Sequence, residues 1–322
     1  MDNLCHTLVG AALGEAGLKR RTPLATATLL IGANLPDVDA WTYAFSDGPT
    51  ALAFRRGWTH GILAMAVLPV VLAGAMLAWD RLVRRRRRPD AAPARWGPLL
   101  FLAFVSVLSH PLLDFLNTYG VRFLHPFSNR WFYGDALFIV DIWVWIALLV
   151  GVVLSRAVAR RGSRRPEFPA RVALVAVLAY VAAMFVSGRV GRTVVGAAAE
   201  RAGLSNDRVL VSPLPIDPFH RMALVDEGGS YRLGALDWLP RPAVSLASES
   251  LPKNDTDPAA EVAKLTPAGR KFMVWARFPY FEVAREGSQT LVTLGDARYG
   301  WGPTGSWARV TIPVPDGARP NP

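Results

Sequence analysis

Four apolar runs, residues 61–79, 97–117, 136–154 and 170–187, constrain this chain more than any other feature. Each approaches the roughly 20 residues that a helix needs to cross about 30 Å of hydrocarbon. The chain is 322 residues long and 52% hydrophobic, more apolar than an ordinary soluble protein and long enough for two domains. Four full spans are therefore expected. Two shorter apolar segments precede them, residues 4–18 and 24–35, which as helices reach only about 18 to 22 Å and cross incompletely. The N-terminus lacks a basic region followed by an apolar stretch and a small-residue cleavage site. It does not read as a removed signal peptide, and His6 is expected to stay in the protein.

The formal charge of +11 raises the question of nucleic acid. The arginines, however, concentrate at Arg81, Arg84 to Arg88 and Arg156 to Arg171, directly beside apolar runs, and no groove-reading or base-stacking motif accompanies them. The charge therefore reports topology, and a nucleic-acid partner is not expected. The loops at 81–95 and 156–171 should both be cytoplasmic, with Lys19, Arg20 and Arg21 a third basic turn on that side. The spans then run inward, outward, inward and outward, which leaves the C-terminal third outside. Cys5 is the single cysteine, so no intrachain disulfide forms.

After Ser187 the chain gains Pro, Gly and charged residues, and its apolar residues fall into short runs. Residues 191–202 extend the last helix. Residues 208–212, 220–225, 231–236, 271–278, 290–294 and 308–312 read as strands, and 248–258 as a polar, mobile loop. The expected architecture is an α-helical integral membrane domain over 1–187, with four full spans and two short N-terminal apolar helices. A β-rich soluble domain follows over 188–322.

His and Asp residues recur at the ends of the apolar runs: His6, Asp37 and Asp39, His60, and His110 with Asp114. By the charge-derived topology these all lie at outer ends, with Asp135 and Asp141 at the start of the following span. One layer of ionisable groups points to a site at the outer interface, whereas a transport pathway would spread them through the membrane. His110 and Asp114 are four residues apart and project from one helical face. Asp37 and Asp39 sit in NLPDVD, where Pro36 disfavours helix at Leu35 and alternating carboxylates share one side of an extended turn. Asp135 follows a Gly and either caps a helix at Ala136 or joins the ligands. Asp141 lies deeper in an apolar run and should pair with a metal, Arg or His.

Mixed imidazole and carboxylate ligation suits one or two divalent metal ions, Zn or Mn among them. Such a centre lowers the pKa of bound water and polarises a phosphoryl or acyl oxygen, while a spare carboxylate, Asp37 or Asp141, accepts a proton. Arg55, Arg56 and Arg130 could bind a substrate phosphate or contact lipid headgroups. Trp131 and Tyr133 read as an interfacial aromatic belt. His125 and His220 read as a turn residue and a structural residue of the β-rich part.

An N-terminal His followed by NLPDVD, RRGWTHG, SHPLLDFLNTYG and HPFSNRW resembles the YdjM-like family of membrane-bound metal-dependent hydrolases, over roughly residues 1–187. The resemblance implies metal ligation by His6, Asp37, Asp39, His60, His110 and Asp114, and hydrolysis of a substrate that the family leaves undefined. RRGWTHG departs from the pattern at Gly61, where a Ser often follows the histidine. The β-rich tail resembles the extension of a longer subgroup. The reading that follows is a multi-pass hydrolase of the cytoplasmic membrane with an extracytoplasmic C-terminal domain, in contact with lipid and acting on a small-molecule substrate, a phosphoester or a lipid-linked substrate. The alternatives are a non-enzymatic membrane protein with a structural metal and a partner-binding β domain, and an ion transporter.

Overall fold

The computed structural model describes residues 1–205, 208–286, 289–299 and 307–315. They form two compact units: Met1–Asp39, Arg56–Ser187 and Pro215–Pro218 in the first, and Ala40–Arg55, Gly188–Leu214 and Phe219–Pro322 in the second.

In the first unit, α1 (Asn3–Glu15) starts where the Asp2 carboxylate accepts the Leu4 and Cys5 N–H groups, at 3.0 and 3.1 Å. It packs on α2 (Ala25–Asn34) at backbone distance: a Cβ on Gly10 would stand 2.7 Å from the Leu29 carbonyl oxygen. Four helices are long and apolar enough to cross a membrane: α5 (Ile62–Arg87), α6 (Trp96–Phe115), α7 (Ile142–Arg160) and α8 (Phe168–Arg201). Outward residues such as Val175 and Leu178 are 65% and 68% exposed, as side chains facing lipid are. Inward residues form separate cores. Leu72, Leu99, Ala103 and Val107 join α5 to α6, and Leu8, Val9, Val144, Leu148 and Val177 join α1, α7 and α8.

The third span begins later than expected. Asp141 caps α7 through the Trp143 and Val144 N–H groups, and residues 134–137 are not helical. Instead, the N–H groups of Gly134, Ala136 and Leu137 donate to the Phe115 and Leu116 carbonyls at the end of α6. The apolar Ala136 and Leu137 are fully buried in the core, so their hydrophobicity marks packing and not lipid exposure.

At the opposite end of the unit the basic turns meet. Arg156 and Lys19 pair with Glu15, Arg20 reaches Glu167 at 2.9 Å, Arg171 donates to the Ala16 carbonyl and Arg95 to that of Arg21.

In the second unit, α3 (Thr42–Phe45) and α4 (Gly48–Phe54) precede an antiparallel sheet of β1 (Arg208–Pro213), β2 (His220–Asp226), β3 (Ser230–Asp237) and β4 (Ala243–Pro252), in that order. Helices α9 (Pro258–Leu265) and α10 (Pro267–Trp275) follow, then a second antiparallel sheet, β5 (Pro279–Glu286), β6 (Gln289–Asp296) and β7 (Arg309–Pro315). Alternation along the strands divides the first sheet between two cores. Val211, Ala223 and Val225 face Val195 and Ala199 at the end of α8, whereas Leu210 and Leu224 face Phe278 and Tyr280.

Two local expectations fail here. Residues 271–275 close α10 instead of forming a strand, because Thr266 caps the helix by accepting the Gly269 N–H and Pro267 occupies its first turn. The expected loop at 248–258 is shorter: 248–252 complete β4, 253–257 form the connection, and α9 starts at Pro258 with Asp257 as its cap.

Asp296 ties this unit together. Its carboxylate takes a bidentate pair from Arg298, at 2.9 and 2.8 Å, and the Arg277 N–H at 2.6 Å. Burial alone would push the carboxyl up, but the Arg298 guanidinium and the N–H donors hold it below the usual carboxylate range. A depressed folded pKa contributes stability that is fully present above the unfolded value, near about 3.9, and is lost as pH falls through the lower folded one. Urea unfolding followed by tryptophan fluorescence should therefore hold a constant midpoint from neutrality down to about pH 5 and then decline. Asp296→Asn should lower the midpoint at pH 7 and flatten that decline. An unaltered acid limb in this variant would show that Asp296 is not responsible.

Candidate metal centre

The site collects the ends of several elements of the first unit. Asp37 lies in a 3₁₀ turn, Leu35–Trp41, that continues from α2; His60 immediately precedes the Gly61 cap of α5; His110 and Asp114 lie one turn apart near the end of α6. One donor atom from each of Asp37, His60, His110 and Asp114 lies within 4.8 Å of all the others. His60, His110 and Asp114 are completely buried, and Asp37 is the most open of the four.

Hydrogen bonding fixes both imidazole tautomers. His110 Nδ1 is 2.7 Å from the Ala33 carbonyl oxygen, which can only accept, so Nδ1 carries the proton. At His60, Thr59 Oγ1 donates to Asp39 Oδ2 at 2.9 Å and is left to accept from His60 Nδ1, also at 2.9 Å. Both Nε2 lone pairs consequently point inward, 3.1 Å from each other, with Asp114 Oδ2 3.1 Å from His60 Nε2. Asp37 Oδ1 stands 3.7 and 4.0 Å from the Nε2 atoms of His110 and His60. A single proton would satisfy one of these acceptors; a divalent cation satisfies them all. The donor set fits a metal ion, with each imidazole oriented from its far nitrogen as metal-bound histidines usually are.

The other anticipated residues take different places. Asp39 turns away from the four and accepts the Arg56 N–H at 2.8 Å and the Thr59 hydroxyl, with His60 Nδ1 3.4 Å away. It positions His60 from behind. The turn is 3₁₀ and not extended, so Asp37 and Asp39 do not share a side; Leu35 keeps helical angles despite Pro36. His6 stacks on His110 with ring centroids 3.7 Å apart, and its Nε2 is 3.4 Å from Asp114 Oδ1. It stands beside the four-residue group. Asp135 is buried with a left-handed backbone (φ 51°), caps no helix and is not among the four. Asp141 spends its carboxylate on the α7 cap and on the Tyr180 hydroxyl at 3.2 Å, so it too lies outside the group.

Arg56, which the sequence offers for a substrate phosphate or a lipid headgroup, lies in the interior of the first unit. It is neither at a headgroup nor on a surface: it is buried, with Nη2 3.0 Å from Asp114 Oδ1, and the Met1 amino group contacts the same oxygen. Its place directly before Gly-Trp-Thr-His60 was the available signal. Gly61 also acquires a reason, since a Cβ there would lie 2.2 Å from the His125 carbonyl oxygen, leaving no room for a Ser. His125 contacts Trp58 and Asn129, and His220 pairs with Asp237 across two strands; neither is in the centre.

The family model of the YdjM inner membrane protein matches residues 1–190. The chain belongs to the YdjM family. This YdjM-family chain is 23% identical over 165 residues to the uncharacterized protein YfhP of Bacillus subtilis (strain 168), covering 48% of this chain and 46% of YfhP. It is 29% identical over 175 residues to the inner membrane protein YbcI of Escherichia coli (strain K12), covering 46% of this chain and 91% of YbcI. The chain thus spans less than half of the first relative and most of the second. No solved structure matches it. Family and apolar helices together make this a multi-pass membrane protein with a possible metal-binding site.

Proposed function

We propose that this YdjM-family chain is a metal-dependent hydrolase working at the outer face of the cytoplasmic membrane, on a phosphoester or lipid-linked substrate. The observation that carries the reading is the facing pair of His60 and His110 Nε2 lone pairs, closed in by Asp114 and Asp37. A bound metal there would supply Lewis acidity toward a phosphoryl or acyl oxygen and toward water. His60, His110 and Asp114 would hold it. Asp37, less enclosed and further from the imidazoles, is placed to receive a proton, and Asp39 with Thr59 keeps His60 in the ligating tautomer. The separation between this cluster and the basic turns at the other ends of α1, α5, α6 and α7 supports an outer location, and with it an extracytoplasmic β-rich unit.

A second reading is a structural metal that fastens α2, α5 and α6; the complete burial of three of the four donors favours it. Purified protein carrying Mn or Zn, assayed against phosphoesters, lipids and peptides, decides between them. The hydrolytic reading expects turnover in one class that chelation abolishes. A metal-loaded protein inert toward all three classes supports the structural role instead. A reporter fused after Pro322 should be active outside the cell, and a cytoplasmic signal would overturn the proposed face.

A further inference from the structure

The turn that joins α7 to α8 gathers cations that meet no acid. Gly162, with a left-handed backbone (φ 75°), ends α7, and the Ser163 N–H donates back to the Val158 carbonyl at 3.0 Å. The chain then enters α8, whose Phe168 N–H donates to the Arg165 carbonyl at 3.2 Å. Arg160, Arg161, Arg164 and Arg165 are thereby held at one end of the helix pair, and all four are exposed. Glu167 is the single acid between Ile142 and Ala199, and it is committed to Arg20 at 2.9 Å. Glu15 serves Arg156 and Lys19. Among the described residues, no carboxylate pairs with any of the four guanidinium groups.

The same two helices form a groove that runs up to this turn. Ser155 Oγ accepts the Ala170 N–H at 3.0 Å, and a Cβ on Gly151 would stand 2.4 Å from that of Ala173, so small residues bring the two backbones together. Gly151 and Ala173 are buried, while Leu154 on α7 and Phe168 and Val172 on α8 stand exposed around them. The groove measures about 360 Å³, and every residue lining it is apolar. Its end coincides with the start of the charge. On α8, Phe168 lines the groove and lies three residues from Arg165; on α7, Leu154 precedes Arg160 by six residues, about 9 Å of helix.

We infer that the α7–α8 hairpin binds an anionic phospholipid, with an acyl chain in the groove and the phosphate among Arg160, Arg161, Arg164 and Arg165. A groove without polar atoms that ends in unpaired cations matches an amphiphile with a negative head. Guanidinium groups form their strongest hydrogen bonds to phosphate and carboxylate oxygens, and a zwitterionic headgroup would add a cation to a cluster that already lacks acids. A soluble anion would leave the groove unused. Charge also argues against a second copy of the chain as the occupant. In a two-fold dimer the same patch meets itself, so two copies sharing one membrane orientation would set arginines against arginines with no free acid between them. The site is separate from the metal centre and does not depend on the hydrolytic reading.

The test titrates the full chain in detergent with phosphatidylglycerol and, separately, with phosphatidylcholine of the same acyl chains, and quantifies the first bound lipid by native mass spectrometry. Phosphatidylglycerol should bind about tenfold or more tighter. Replacing Arg160, Arg161, Arg164 and Arg165 together by Gln should remove that preference. Arg164→Gln with Arg165→Gln should narrow it, and serves if the fourfold variant does not fold. Ala176→Phe fills the groove from an exposed position and leaves every charge in place. It should weaken phosphatidylglycerol binding about tenfold, whereas Val175→Phe, an outward position that does not line the groove, should leave binding unchanged. Equal affinity of wild type for the two lipids, or a preference retained in the glutamine variants, overturns the headgroup contact. Unchanged binding in Ala176→Phe reduces the arginines to a general surface attraction and overturns the site. A dimer of the chain that Ala176→Phe dissolves puts a second copy in the groove and overturns it as well.

Discussion

His110→Ala should reduce bound metal from a stoichiometric amount to near none, as measured by elemental analysis of protein purified in detergent. The imidazole cannot be replaced from nearby, because its Nδ1 is spent on the Ala33 carbonyl and its Nε2 faces His60 across 3.1 Å. Asp114→Ala should do the same, since Oδ2 closes the group against both imidazoles, at 3.1 and 3.5 Å. A graded control comes from the residue behind His60: Asp39→Asn should weaken metal binding by about 10 to 100-fold without abolishing it. Asp141→Asn should leave metal content untouched, because that carboxylate serves the α7 cap and Tyr180. Unchanged metal content in both His110→Ala and Asp114→Ala would remove these residues from the ligand set.

The second large effect concerns stability. Arg56→Met should destabilise the metal-stripped protein by about 3–5 kcal/mol, because it leaves the Asp114 carboxylate buried without its guanidinium. The loss extends past the ion pair. Arg56 Nη1 joins Asn117 to the Gly120 carbonyl, and the guanidinium lies 4.6 Å from the centre of the Tyr119 ring, so one side chain fastens the end of α6. The thermal midpoint in detergent, read by tryptophan fluorescence after chelation, measures this directly. A midpoint within error of wild type would mean that Asp114 does not depend on Arg56 for its charge balance.

The spans were legible in the sequence because a run of apolar residues near 20 long has few destinations other than a bilayer. The boundary at Asp141 was not, because Ala136 and Leu137 are as apolar as lipid-facing residues and only tertiary contact sends them into the core. In the β-rich part, alternation revealed β1, β2, β3, β6 and β7, but KFMVWARF at 271–278 has the composition of a strand. Its helical start was written in Thr266 and Pro267, a cap signal that outweighs the β-prone residues following it.

The site divides in the same manner. His60, His110, Asp114 and Asp37 could be singled out from residue type and position at helix ends, and the fold brings their donor atoms together. The division of labour between Asp37 and Asp39 could not, because it depends on a 3₁₀ turn that points neighbouring carboxylates in different directions. The burial of Arg56 was hidden for a related reason: from sequence, Arg55 and Arg56 are two adjacent surface-like cations, and the structure gives the second a left-handed backbone (φ 53°) and an interior place.

The hydrogen bond from the Arg56 N–H to Asp39 has a further consequence. It clasps the chain on either side of residues 40–55, the excursion that belongs to the second unit, and so closes that loop at its base. Within that excursion α4 packs on α10 and the Thr50 hydroxyl accepts from Lys271 at 2.7 Å, so the stretch is anchored in its own unit while Asp39 and Arg56 hold its base. The clasp therefore keeps Asp37 and His60 close although the chain leaves the first unit between them.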